Sequence, residues 1–375
     1  MKVCIVSLNI VPLFAGERGG YFGGAEVQAV FVAEVLEACG QHVSLVVADL
    51  SEPELIPFAT QNAYHSAAGV RGLRFFHPRW TGVMRALERA DADVYYQRNA
   101  GMITGLVAMF CKRNGKLFVY GAGSDVDFSP RDVAIRGARD RLIYNWGLKA
   151  SRGFVVQNQA QRAAAARFHK PTRVIPNGVT PIDVASDDTD GTIVWIGAMW
   201  RVKRPGLLLE LARRMPDRRF VVIGSGGELA KSIEREAARL PNVEMRGRLG
   251  RDEVSKVLRK AALLVNTSSV EGFPNAFLEA WNHGVPVVAF NDVDGIIAEA
   301  GVGAVCSNLD EMVRAISDLT GDRGHAAAVR ARARRLVSER FSPAVLGPRY
   351  VEFFQELLSG SEPAAVEGAV AVRRS

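Results

Sequence analysis

Short runs of β-branched and aromatic residues recur along the chain, separated by stretches with helical spacing. In the first half, "KVCIVSL" (2–8), "HVSLVVA" (42–48), "DVYYQR" (93–98), "KLFVYG" (116–121), "GFVVQN" (153–158) and "RVIP" (173–176) read as strands. In the second half, "TIVWIG" (192–197), "RFVVIG" (219–224), "VEMRG" (243–247), "ALLVNT" (262–267), "PVVAF" (286–290) and "GAVCS" (303–307) do the same. Nearly continuous apolar runs of this kind suit strands covered on both faces, hence parallel sheets. Between them, "EVQAVFVAEVLEACG" (26–40) places apolar residues at i, i+3, i+4 and i+7 and stops at Gly40. Such alternation predicts an α/β fold with doubly wound sheets. A length of 375 residues exceeds one ordinary core, so two domains are expected.

The alternation breaks at "TPIDVASDDTDG" (180–191), a polar, acidic stretch ending in glycine. It divides an N-terminal domain, 1–182, from a C-terminal domain, 183–342. Residues 343–358 have helical period after Pro343 and are expected to pack back on the first domain. Residues 359–375 are small and polar, and read as a disordered tail.

The net charge of +7 suits an anionic partner without choosing among nucleic acid, lipid and small molecules. Nucleic acid is disfavoured, because the basic residues are dispersed and not interleaved with aromatics. The four cysteines form no C-x-x-C and no zinc-spaced cluster, which fits a reducing cytoplasm. The apolar N-terminus is broken by Ser7 and Asn9, so it reads as a strand and not as a signal peptide. The interior run "GMITGLVAMFC" (101–111) is too short for a bilayer, which needs about 20 residues.

Ligands of open α/β sheets sit beyond the carboxyl ends of strands, so the loops there carry the chemistry. After the first strand, glycines at 19, 20, 23 and 24 precede a helix, where backbone N–H groups and the helix end suit a phosphate. Neither a Walker loop nor the dinucleotide fingerprint is present. The loop "GAMWRVKRPG" (197–206) offers Arg201, Lys203 and Arg204 to a diphosphate. After "ALLVNT", the stretch "SSVEGFPNAFLEAWNHGVPVVAF" (268–290) turns at Gly272 and starts a helix at Pro274 or Asn275. Glu271 stands on its loop and Glu279 about one turn into its helix, where a carboxylate could hold ribose hydroxyls or merely favour the dipole.

Four Asp-x-Asp pairs occur: Asp91/Asp93, Asp125/Asp127, Asp188/Asp190 and Asp292/Asp294. So frequent a pattern is unspecific, and no metal site is assigned. No histidine receives a catalytic role. Residues 130–152 are basic, with Ile135, Leu142, Ile143, Trp146 and Leu148 interleaved. They read as a domain helix with one buried face, or alternatively as a surface for anionic lipid.

Taken together, the three loops resemble the retaining, GT-B-fold glycosyltransferases of family 4. The setting "S-x-x-E-G-F-x-x-x-x-L-E-A-x-x-x-G-x-P-V-V", with "GGAEVQ", "RVIPNGV" (173–179), "KRP" (203–205) and "FVVIGSGGE" (220–228), carries the resemblance from residue 1 to about 355. It implies two Rossmann-like domains facing across a cleft, and transfer of a sugar from a nucleoside-diphosphate sugar to a hydroxyl acceptor. Gly23 and Gly24 would then contact the donor diphosphate, with Lys203 and Arg201 on the same phosphates. Glu271 would lie by the donor sugar, the amides of Gly272, Phe273, Pro274 and Asn275 would meet sugar hydroxyls and phosphate, and Glu279 would hold the ribose. The backbone around Gly247 and Arg248 would border the base. Glu271 and Lys203 are the catalytic candidates.

Two positions depart from the pattern. Ala198 stands where the family commonly has arginine, and "VYGAGSDVD" (119–127) lacks the family's first-domain histidine. Arg201 is the candidate substitute for the first, and Ser124 or Asp125 for the second, unless the acceptor differs. The resemblance implies no cofactor and no metal. It also implies a carbohydrate or lipid-linked acceptor, a cytoplasmic setting with peripheral contact at the inner membrane, and a role in bacterial surface polysaccharide or glycolipid assembly. A nucleotide-sugar epimerase and a non-catalytic nucleotide-sugar binder are the competing readings. The scarcity of histidine at strand ends argues against the first, and the presence of Glu271, Glu279 and Lys203 against the second.

Overall fold

A computed structural model describes residues 1–14, 23–69, 75–129, 133, 135, 137–183 and 188–360. Its first sheet has seven parallel strands: β1 (Lys2–Val6), β2 (His42–Val47), β3 (Ala59–Asn62), β4 (Val94–Arg98), β5 (Leu117–Gly121), β6 (Gly153–Val156) and β7 (Thr172–Val174). Their order is β3-β2-β1-β4-β5-β6-β7. The second sheet has six: β8 (Thr192–Ile196), β9 (Phe220–Ile223), β10 (Val243–Gly247), β11 (Ala261–Asn266), β12 (Val287–Ala289) and β13 (Gly303–Val305), ordered β10-β9-β8-β11-β12-β13. All neighbours within each sheet pair in parallel. β4, β5, β6 and β11 are buried at every residue, which is why they read as unbroken apolar runs. The edge strand β3 has the sequence "ATQN" and no apolar run, so period and composition do not reveal it.

In each sheet the strand order reverses once, between β1 and β4 and between β8 and β11. The crevice beyond the carboxyl ends at such a reversal is where an open α/β sheet accepts a ligand. The second crevice is walled by the loops 197–204 and 267–274, which hold Lys203 and Glu271.

The helix Pro343–Ser359 returns to the first sheet. Leu346, Tyr350, Phe353, Phe354 and Leu357 are buried there with Val3, Ile5, Phe31 and Val35. Gly178 lies at the junction, and the Gln28 side chain brackets it, donating to its carbonyl at 2.9 Å and accepting from its N–H at 3.0 Å. A Cβ at Gly178 would stand 2.1 Å from the Phe31 ring and 2.8 Å from Leu346 Cδ1. Only glycine fits that approach. The chain between the domains is tied down by the Asn282 side chain, which accepts from Ile182 N and donates to Thr180 O. Gly19, Gly20, residues 184–187 of the linker and residues 361–375 of the tail lie outside the described residues.

Overpacking a rigid contact costs about 1–3 kcal/mol. Gly178→Ala should therefore lower the midpoint of thermal unfolding, measured by circular dichroism, whereas Gly206→Ala, which meets open space, should leave it near wild type.

Candidate active site

The loop after β11 is held first by its own domain. Trp195 Nε1 donates to Thr267 Oγ1 at 3.0 Å, and Thr267 Oγ1 donates to the Lys203 carbonyl at 2.7 Å. Arg204, in a left-handed conformation, sends Nε to Thr267 O and Nη2 to Ser268 O, and its guanidinium lies over the Phe290 ring. Ser269 N donates to Val202 O at 2.8 Å. The two loops are thereby stitched side by side, and their charged side chains meet. Lys203 Nζ lies 2.6 Å from Glu271 Oε1, and Asn266 Nδ2 donates to the same oxygen at 3.1 Å. The Glu271 side chain is 8% exposed and that of Lys203 27%, so solvent screens this pair less than a surface one.

The first domain grips the same loop by its backbone. Asn158 Nδ2 donates to Gly272 O at 2.9 Å and Asn177 Nδ2 to Phe273 O at 2.7 Å. Asn177 also donates to Asn275 Oδ1, and its own Oδ1 accepts from Gln157 and Arg98. Gln28 Nε2 donates to Asn275 Oδ1, and Asn275 Nδ2 donates to Gly24 O at 3.0 Å. A Cβ at Gly272 would stand 2.6 Å from Gln157 Oε1, so the loop reaches this seam because it carries no side chain there. A further tie crosses where Asp294 accepts from Gln159 N.

Several expected roles take a different form here. The helix runs Asn275–Asn282 with Pro274 at its N-cap, and the Asn275 carboxamide bonds across the seam instead of capping. Pro274 has no N–H and donates nothing, which removes one of the expected backbone donors. Gly23 caps its helix, and its N–H already goes to Glu26 Oε2 at 2.9 Å. Arg201 turns away from Lys203 to pair with Glu228 at 3.1 Å, with its own side chain 79% exposed. Arg248 is exposed beyond β10. Asp125 accepts from Asn158 and Gln161, and the N–H of Ser124 goes to Asp127. Burial raises the Asp127 carboxyl above its ordinary value, against the hydrogen bonds from Gly123, Tyr120 and Ser124.

Asp91, Asp93, Asp125, Asp127, Asp190, Asp292 and Asp294 each accept a hydrogen bond from a neighbouring amide, amine or side chain. Among the described residues, no group of three or more His, Cys, Asp or Glu side chains could hold a metal ion.

Glu279 is partly buried and has no hydrogen bond to its carboxylate among the described residues. Burial pushes its pKa up from 4.5 to about 7, and the positive charge of Arg251 offsets only part of that. Its carbonyl accepts from His283 Nδ1, and burial lowers the pKa of that imidazole. The sequence does not single out the amides that place the loop: Gln28, Gln157, Asn158, Gln161 and Asn177. The signal for Gln157, Asn158 and Asn177 is polar "QN" directly after the apolar strand β6 and "NG" two residues beyond β7.

A carboxyl raised in the folded state binds protons that the unfolded chain has released. The stability Glu279 lends is complete below pH 4.5 and lost as pH rises through about 7. Glu279→Gln cannot ionise, so it should melt higher than wild type at pH 8 and at the same temperature near pH 4.

Residues 190–322 match the family model described as "Glycosyl transferases group 1". An uncharacterized glycosyltransferase of Haemophilus influenzae is 28% identical over 156 residues, covering 38% of this chain and 42% of that protein. One component of the human phosphatidylinositol N-acetylglucosaminyltransferase is 30% identical over 163 residues, covering 37% of this chain. The matched stretch spans 33% of the human protein, so both likenesses are partial. Solved structures match over nearly the whole chain. Sucrose-phosphate synthase of Thermosynechococcus elongatus superposes with a TM-score of 0.71 at 16% identity, covering 96% of this chain and 100% of that one. HepE of Anabaena, crystallised with UDP and glucose, gives 0.72 at 16% identity over 95% of this chain and 100% of that one. Two parallel-sheet Rossmann-like domains in this arrangement make the GT-B architecture.

Proposed function

We propose that this chain is a retaining glycosyltransferase that moves a sugar from a nucleoside-diphosphate sugar to a hydroxyl acceptor, in the assembly of a bacterial surface polysaccharide or glycolipid. The observation that carries the reading is the Lys203–Glu271 pair at the strand-order reversal of the second sheet, beside the helix that bears the unpartnered Glu279. The match of residues 190–322 to the group 1 glycosyltransferases covers all three residues and supports it.

On this reading the donor diphosphate lies at the N-terminal end of the helix Asn275–Asn282. Lys203 neutralises the charge that grows on the leaving nucleoside diphosphate, a task otherwise given to a divalent ion. Glu271, steadied by Lys203 and Asn266, faces the positive charge developing on the sugar. The acceptor hydroxyl attacks from the face the diphosphate leaves, which retains the anomeric configuration. Glu279 has free acceptor capacity for two ribose hydroxyls, and their hydrogen bonds would favour its ionised form. The solved neighbours crystallised with UDP, among them the pneumococcal O-GlcNAc transferase GtfA with UDP and GlcNAc, make uridine the first base to try.

A nucleotide that binds the folded chain raises its melting temperature by mass action. UDP, tested beside GDP and ADP, should raise it with and without EDTA. Lys203→Ala should weaken that binding by about 1–3 kcal/mol, the scale of a lost charged hydrogen bond. Stabilisation by no nucleotide would refute the donor site. Glu271→Gln should keep the UDP-induced shift and lose transfer, read as release of UDP from UDP-sugar with acceptor; turnover near wild type would remove Glu271 from the mechanism.

A further inference from the structure

A nucleoside diphosphate is a polyanion, and the loops of the second crevice have little charge left to meet it. Lys203 shares its charge with Glu271, and Arg201 is paired with Glu228. The Arg204 guanidinium is occupied by two carbonyls and the Phe290 ring. Pro274 has no N–H to donate, and the N–H of Gly23 goes to Glu26. A further cation is needed, and the first domain holds one.

Arg98 ends β4, beside the strand-order reversal of the first sheet, and is 8% exposed. Among the described residues it forms no ion pair. Its Nη2 donates to Asn177 Oδ1, and its Nε is buried without a hydrogen-bond partner. Burial raises the pKa of Tyr96 and of Tyr350 in spite of the Arg98 charge, so neither hydroxyl supplies an anion. The Asp127 carboxyl senses Arg98 less than it senses burial and its hydrogen bonds from Gly123, Tyr120 and Ser124. A buried charge without a partner is costly to keep, and a bound anion lowers that cost.

From Arg98 the hydrogen bonds run in one direction. Arg98 donates to Asn177 Oδ1, Asn177 Nδ2 donates to Asn275 Oδ1 at 2.8 Å, and Asn275 Nδ2 donates to Gly24 O at 3.0 Å. Dipoles aligned in this way polarise one another and carry positive potential away from the guanidinium. The chain ends where the helices Gly24–Ala38 and Asn275–Asn282 begin, and a helix N-terminus is itself positive. We propose that Arg98 supplies the missing counter-charge for the donor diphosphate, acting through Asn177 as a positioning residue and not by contact. The inference rests on the donor site proposed above. It gives to the first domain a task for which the sequence offers Arg201, whose side chain is turned to Glu228.

The test is calorimetric titration of the full chain and of Arg98 variants with UDP, UMP and uridine. Arg98→Lys keeps the charge and a donor for Asn177, Arg98→Gln keeps only the donor, and Arg98→Met keeps neither. The two neutral variants should lose about tenfold or more in affinity for UDP, less for UMP, and no more than about twofold for uridine, which has no charge to meet. Arg98→Lys should hold UDP within about threefold of wild type. Melting midpoints taken beside the titrations show which variants are folded. An equal loss for UDP and uridine would make Arg98 a structural residue and overturn the proposal. So would UDP binding that survives in either neutral variant, or that Arg98→Lys loses as fully as they do. Failure of the wild-type chain to bind UDP would remove the donor site and this inference with it, whereas wild-type binding with any of the contrary results overturns the inference alone.

Discussion

The carboxamide of Asn177, with those of Gln28, Asn158 and Asn275, holds the two domains in register at the site. It is 4% exposed and uses its whole hydrogen-bonding capacity: two acceptances, from Arg98 and Gln157, and two donations, to Phe273 O and Asn275 Oδ1. Leaving any of these buried partners unpaired would cost about 1–3 kcal/mol. The segment 272–275 is therefore placed by the first domain although it belongs to the second. Its neighbour Glu271 inherits that placement from one side and the Lys203 and Asn266 contacts from the other.

The two carboxylates of this stretch answer to opposite electrostatics. Glu271 is nearly buried but has a cation and an amide on the same oxygen. Glu279 is sheltered without such a partner, and burial pushes its pKa up to about 7. A group held in that condition destabilises the fold near neutral pH, and hydrogen-bond donors from a ligand would relieve it.

Much of the fold was legible because parallel strands buried on both faces leave continuous apolar runs, and β4, β5, β6 and β11 show them plainly. β3 was not, since an edge strand reading "ATQN" is paired by backbone alone. At the site, the spacing of Glu271 and Glu279 around a turn could be read in one dimension, and so could a basic loop containing Lys203. Which cation turns inward could not: Arg201 lies two residues away and faces Glu228. Nor could the role of Asn275, whose type suggests an N-cap but whose side chain meets Gly24, Gln28 and Asn177 across 98 to 251 residues of sequence. Contacts of that separation depend on how two domains face each other, and local pattern carries no record of it.

Amide hydrogen exchange with and without UDP reads directly whether a nucleoside diphosphate is held between the loops 197–204 and 267–274. Ligand contact slows local opening only where it stabilises the backbone. Slowed exchange is expected to concentrate at residues 199–204 and 271–279, with β9, β12 and the helix Pro343–Ser359 unchanged. Protection confined to the first domain, or none at saturating UDP, would contradict it.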